Sequence, residues 1–93
     1  MSTAELMRER LARLDPVSLE IVDESSRHAG HEGAKSGGGH YRLTIVSGRF
    51  AGQPVQARHR MVYDALGALM RQEIHALAIK ASTPEEFTTK ERQ

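Results

Sequence analysis

His40-Tyr41-Arg42-Leu43-Thr44-Ile45-Val46-Ser47 decides the fold. Tyr41, Leu43 and Ile45 alternate with His40, Arg42 and Thr44, the period of a strand with one buried and one open face. Towards the N-terminus, Ser18 to Glu24 predicts a second strand with Leu19 and Ile21 on one face. The two are separated by Ser25 to Gly39, which holds five of the eight glycines, Ser25, Ser26 and Ser36, and the histidines His28 and His31. No apolar period survives there, so a flexible Gly/His-rich loop over about 25–39 joins the strands into an open hairpin. Before the hairpin, Ala4, Met7, Leu11 and Leu14 recur at three and four residues, predicting a helix from Thr3 to Leu14. Ser2 and Glu5 have the spacing of a capping box, and Asp15-Pro16 stops the helix.

Towards the C-terminus, Gly48 to Pro54 reads as a turn-rich connector containing Phe50. Val55 to Arg71 reads as one long helix, with Val62, Leu66, Leu69 and Met70 on its buried side and Ala65 allowing close contact. Ile74 to Ser82 predicts a third strand with Leu77 and Ile79 on one face. Thr83-Pro84-Glu85-Glu86 gives a threonine cap, a proline at the first helical position and a glutamate at the third, so a short helix to about Lys90 closes the chain. The order α-β-β-α-β-α describes a single α/β (α+β) domain. Its three-stranded mixed sheet has the second and third strands parallel through a right-handed crossover, with helices on one face.

Bulk properties narrow the function. Ninety-three residues make one domain, which buries roughly 60–65% of its unfolded surface and leaves little room for an enclosed substrate pocket. Thirteen basic against twelve acidic residues give a net charge of +1. That is far from the basic excess of a dedicated nucleic-acid binder or a polybasic membrane anchor. The absence of cysteine excludes disulfides, thiol nucleophiles and thiolate ligands from this chain. No apolar run approaches the roughly 20 residues of a membrane span. The acids Glu5 and Glu9 near the start argue against a signal or transit peptide, so a cytoplasmic protein is expected.

Several segments are more specific. Leu19-Glu20-Ile21-Val22-Asp23-Glu24-Ser25 precedes a histidine-bearing loop, and His40 to Ser47 is followed by Phe50 and Gly52. Arg58-His59-Arg60-Met61-Val62-Tyr63, Ile74-His75-Ala76-Leu77-Ala78-Ile79 and Thr83-Pro84-Glu85-Glu86-Phe87 come next. In this order and spacing the chain resembles the BolA family, from the first helix to Phe87. The resemblance implies a fold similar to the class II KH fold. It also implies a partner, a monothiol glutaredoxin of the CGFS type, which with glutathione shares a bridging 2Fe-2S cluster with the BolA protein. The BolA-side ligand before the third strand corresponds to His75. The second ligand comes from the loop between the first two strands, where His28 is the better positional match and His31 the alternative. The family's usual tryptophan after Pro-Glu-Glu is Phe87 here.

The residues themselves agree with a shared metal site. Five histidines are many for this length, and imidazole suits iron. A chain without thiolates does not hold an iron–sulfur cluster alone, but Rieske centres show that two histidines can replace two cysteines on one iron. This chain offers an imidazole half, and a partner cysteine with glutathione the thiolate half. His40 is expected to pack or bond locally, and His59, between two cations, fits ligation poorly.

Arg58 and Arg60 are the nucleic-acid candidates, on what otherwise reads as an exposed helix face. Gly30-His31-Glu32-Gly33 spells the GXXG of KH domains, but between strands rather than helices. Gly48-Arg49-Phe50-Ala51-Gly52, at the expected place, is one residue too long. The alternative expectation is therefore a KH-like DNA-binding transcriptional regulator that binds DNA weakly. No Ser, His and Asp fall into a catalytic arrangement, so no catalysis is expected.

Overall fold

The alternating segments pair as the sequence implies. In a computed structural model, which describes residues 2–25 and 39–91, β1 (Ser18–Asp23), β2 (Gly39–Val46) and β3 (Ile74–Ser82) form one sheet in the order β1-β2-β3. β1 and β2 are antiparallel, with Ile21 opposite Leu43; β2 and β3 are parallel, with Leu43 opposite Ile79. This register puts Leu19, Ile21, Tyr41, Leu43, Ile45, Leu77 and Ile79 on one face, because side chains alternate along a strand.

Helices bury that face. α1 (Thr3–Leu11) contributes Met7 and Leu11, and the 3-10 turn Ala12–Leu14 adds Leu14. α2 (Val55–Leu66) contributes Val62, Ala65 and Leu66, and α3 (Leu69–Gln72) adds Leu69. Phe50, in the 3-10 turn Gly48–Phe50, is the largest fully buried side chain of this mainly aliphatic core. Ser2 and Glu5 close the capping box on α1. The last turn before Asp15-Pro16 tightens to 3-10 geometry, and Asp15 itself takes a left-handed conformation at φ 49°. Among the described residues no helix is long and apolar enough to cross a membrane.

One expected element is divided. The helix anticipated over 55–71 breaks at Gly67, whose φ of 57° and ψ of −129° suit a residue without Cβ. Arg10 seals the break by donating from Nη1 to the Leu66 carbonyl at 3.2 Å. The apolar period runs on into Leu69 because α3 packs against the same core.

α4 (Pro84–Glu91) begins as its sequence suggests. The Glu86 N–H donates to Thr83 Oγ1 at 3.2 Å, and Glu86 Oε1 accepts from the Thr83 N–H at 3.0 Å. Phe87 lines a shallow hollow with Ser18, Glu20, Thr44 and Lys80. The C-terminal helix thus laps one end of the otherwise open sheet face.

Candidate metal-ligand site at the start of β2 and β3

The site is built where β2 and β3 begin. Gly39 pairs with Ile74, but His40 pairs with Ala76, so His75 is an extra residue on β3. A bulge of this kind re-aims a side chain and breaks the strict in-out alternation. His75 and Ala76 are accordingly both exposed, at consecutive positions. The bulge brings His75 against His40, with ring centroids 5.1 Å apart and planes inclined by 39°. Gly39 leaves room there for the edge of the Tyr41 ring, which a Cβ at this position would overlap.

The backbone around His40 is clamped. Its N–H donates to Ser25 Oγ at 3.0 Å, and its carbonyl accepts from the Glu24 N–H at 2.7 Å. Ser25 in turn donates its N–H to Asp23 Oδ1 at 2.9 Å. Hydrogen bonds from the Ser25 side chain and backbone hold the Asp23 carboxyl below its ordinary pKa. Glu24 pairs with Arg42 at 3.0 Å across the strands. These bonds fix the base of the segment carrying His28 and His31, both of which lie outside the described residues. Among the described residues, no three His, Asp or Glu side chains gather into a complete metal site. The structure therefore brings together His75 and His40, a pair that alternation along single strands does not reveal.

The nucleic-acid candidates separate. Arg60 is exposed. Arg58 turns inward: its Nε donates to the Gln53 carbonyl at 2.7 Å and its Nη1 to the Ala81 carbonyl at 3.1 Å. Its Nη1 and Nη2 also grip Glu86 at 2.6 and 3.0 Å, which raises the guanidinium pKa further. The two arginines do not form one exposed basic patch. In the connector, Phe50 is buried and Arg49 pairs with Asp15, its Nε donating to Oδ2 at 2.8 Å.

A family model described as BolA-like protein matches residues 11–86. The chain belongs to this BolA-like family. As a BolA-like protein it is 40% identical over 88 residues to the DNA-binding transcriptional regulator BolA of Escherichia coli (strain K12), covering 94% of this chain and 81% of the relative. It is 43% identical over 86 residues to the SufE-like protein 1, chloroplastic/mitochondrial, of Arabidopsis thaliana, covering 86% of this chain. The chain spans only 23% of the length of that SufE-like relative, and 52% of the mouse BolA-like protein 1. Among solved structures, BolA1 from Arabidopsis thaliana superposes with a TM-score of 0.78 at 39% identity, covering 92% of this chain and 96% of that one. The BolA-like α+β architecture is thus shared over nearly the whole chain.

Proposed function

We propose that this BolA-like protein is a binding adaptor that shares a 2Fe-2S cluster with a monothiol glutaredoxin and glutathione, in cluster trafficking or iron- and redox-dependent regulation. The carrying observation is the His40–His75 contact at the bulge, next to Ser25 and Gly39, which flank the segment of sequence that holds two more histidines. His75 is exposed and able to meet a partner. The donor set fits half of a cluster site. Imidazoles are at hand, and the thiolates that a cluster requires must come from elsewhere, because the chain has no cysteine. His75 would be one ligand, and His28 the second, with His31 as the alternative. His40 would hold the His75 ring in place. Bound there, the cluster would supply one-electron redox chemistry or itself be the cargo.

Anaerobic reconstitution tests this. The chain alone should fail to retain a cluster, and the mixture with glutaredoxin and glutathione should form a coloured one-to-one complex. His75→Ala should change the visible spectrum of that complex while circular dichroism stays native. A stable cluster on the isolated chain, or an unchanged spectrum for His75→Ala, would overturn the assignment.

A second function is favoured by one observation, the name of the Escherichia coli relative as a DNA-binding transcriptional regulator. With a net charge of +1, DNA binding by this chain would be weak and steeply salt-dependent, since affinity falls with each counterion released. Tight, sequence-selective binding at about 0.15 M salt, lost on Arg60→Ala in a folded protein, would favour the regulator function instead.

A further inference from the structure

Hydrogen bonds fix which backbone groups of β3 face outward. The Ser47 N–H donates to the Ser82 carbonyl at 2.9 Å, so Ser82 turns towards β2. The Ala81 carbonyl, which accepts from Arg58 on α2, turns the other way. Alternation along the strand then turns the N–H and C=O of Leu77 and Ile79 outward too. Among the described residues β3 is an edge strand, so no strand pairs with these groups. The opposite edge is more guarded. Arg8 donates to the Leu19 carbonyl at 3.3 Å, and Glu20 and Asp23 place charges along β1.

Natural edge strands are usually blunted by charge, proline, bulges or a covering element. β3 has such devices only towards its ends. The bulge at His75 marks one end, and Lys80 with the Arg58–Glu86 clasp over Ala81 the other. Ala76-Leu77-Ala78-Ile79 between them has neither charge nor proline. Ala76 and Ala78 are exposed, and their small side chains allow another backbone to come close.

We infer that the Ala76–Ile79 edge docks the thiolate-bearing partner, which adds an extended, uncharged segment there as a fourth strand. This rests on the cluster-sharing function proposed above. Outward N–H and C=O groups in strand geometry are complementary to another extended backbone. The strip begins beside His75, so a segment paired along it carries its own chain to the imidazole it has to meet. Four residues extend only about 13 Å, too little alone for the roughly 1,200 Å² of a stable interface. The occupant must therefore hold on at a second point, and ligation next to His75 provides one. A second copy of this chain would bring no thiolate.

Residue-resolved hydrogen exchange tests the inference on the full chain, with and without monothiol glutaredoxin, glutathione and reconstituted cluster. In the free chain the Leu77 and Ile79 amides should exchange quickly, while Ala78 and Lys80, bonded to β2, exchange slowly. In the complex, Leu77 and Ile79 should slow by about tenfold or more. Visible absorption of the same sample reports separately whether the shared complex has formed. A formed complex with unchanged exchange at both amides would overturn the edge inference and leave the cluster-sharing function standing. Failure to form any complex would overturn both. Slowing in the chain alone that grows with its concentration would assign the edge to a second copy, against the inference. Leu77→Pro and Leu77→Ala both lose the leucine packing, but only proline removes the outward N–H. Proline should weaken partner binding about tenfold more than alanine, and equal affinities would refute the pairing.

Discussion

Replacing Arg58 by methionine separates a structural arginine from a nucleic-acid contact. The substitution keeps an aliphatic stem near Phe50, whose ring centre lies 6.0 Å from the guanidinium carbon. It removes four hydrogen bonds, to Gln53, Ala81 and both oxygens of Glu86. A bond to a charged group is worth about 1.5–3 kcal/mol when nothing replaces it. Much is replaced here. Gln53 is exposed and the Glu86 side chain is 47% exposed, so water can recover those acceptors. An ion pair with one partner so exposed contributes about 0–1 kcal/mol. The arginine side chain, only 11% exposed, and the half-buried Ala81 carry the rest. The expected loss is about 2 kcal/mol. For a domain of this size that lowers Tm by about 8–16 °C. Arg60→Met, at an exposed site, should stay within about 0.5 kcal/mol of the parent. Thermal and urea unfolding followed by circular dichroism measure both. Equal stability of the two variants would refute the inward role of Arg58. Any loss of DNA binding in an Arg58 variant has to be corrected for this unfolding before it is read as a lost phosphate contact.

Other perturbations follow from particular geometries. Gly67→Ala forces a Cβ into a φ of 57° and to within 3.3 Å of Arg10 Nη1, and should cost about 2 kcal/mol in chemical denaturation. Gly39→Ala should displace the Tyr41 ring, cost about 1–3 kcal/mol, and shift the His40 and His75 ring resonances; unchanged histidine signals would show that the bulge does not depend on this glycine. The carboxyl of Asp23, depressed by Ser25, should titrate below its ordinary value by NMR, and Ser25→Ala should bring it back up. Because its folded pKa is lowered, its contribution is present above the unfolded value near about pH 4 and is lost as pH falls through the lower folded value. The contribution is small, since Asp23 is exposed.

Most of the fold is legible because its signals are local. Alternation over 40–47 gives the central strand and its buried face, and Ser2 with Glu5 and Thr83 with Glu86 announce two helix starts. The break at Gly67 was hidden by a period that continues through it, since α2 and α3 pack against one core. The candidate site was half legible. His75 stands out by resemblance, but its contact with His40 depends on a bulge, and a bulge adds a residue without any change of composition. The partners of Arg58 are equally non-local. Ala81 and Glu86 lie 23 and 28 residues further along the chain, so the sequence shows Arg58-His59-Arg60 only as a run of charge on a helix.

The cluster reading rests on His75 of β3, whereas the DNA reading rests on Arg60 of α2, a helix clasped to the far end of β3 through Arg58. His75 lies at the start of β3, where β2 also begins. Ala81, beneath the Arg58–Glu86 clasp, lies near its end. At about 3.3 Å per residue the two positions are some 20 Å apart, beyond the Debye length of about 8 Å at physiological salt. A charge change at one end therefore acts weakly on the other through the field alone. His75→Ala should leave any DNA affinity of the isolated chain unchanged, and Arg60→Ala should leave the spectrum of the shared cluster unchanged. If His75→Ala alters DNA affinity, or Arg60→Ala alters the spectrum, the two ends are coupled through the strand itself. Leu77 and Ile79, midway between them, would then be the residues whose substitution breaks that coupling.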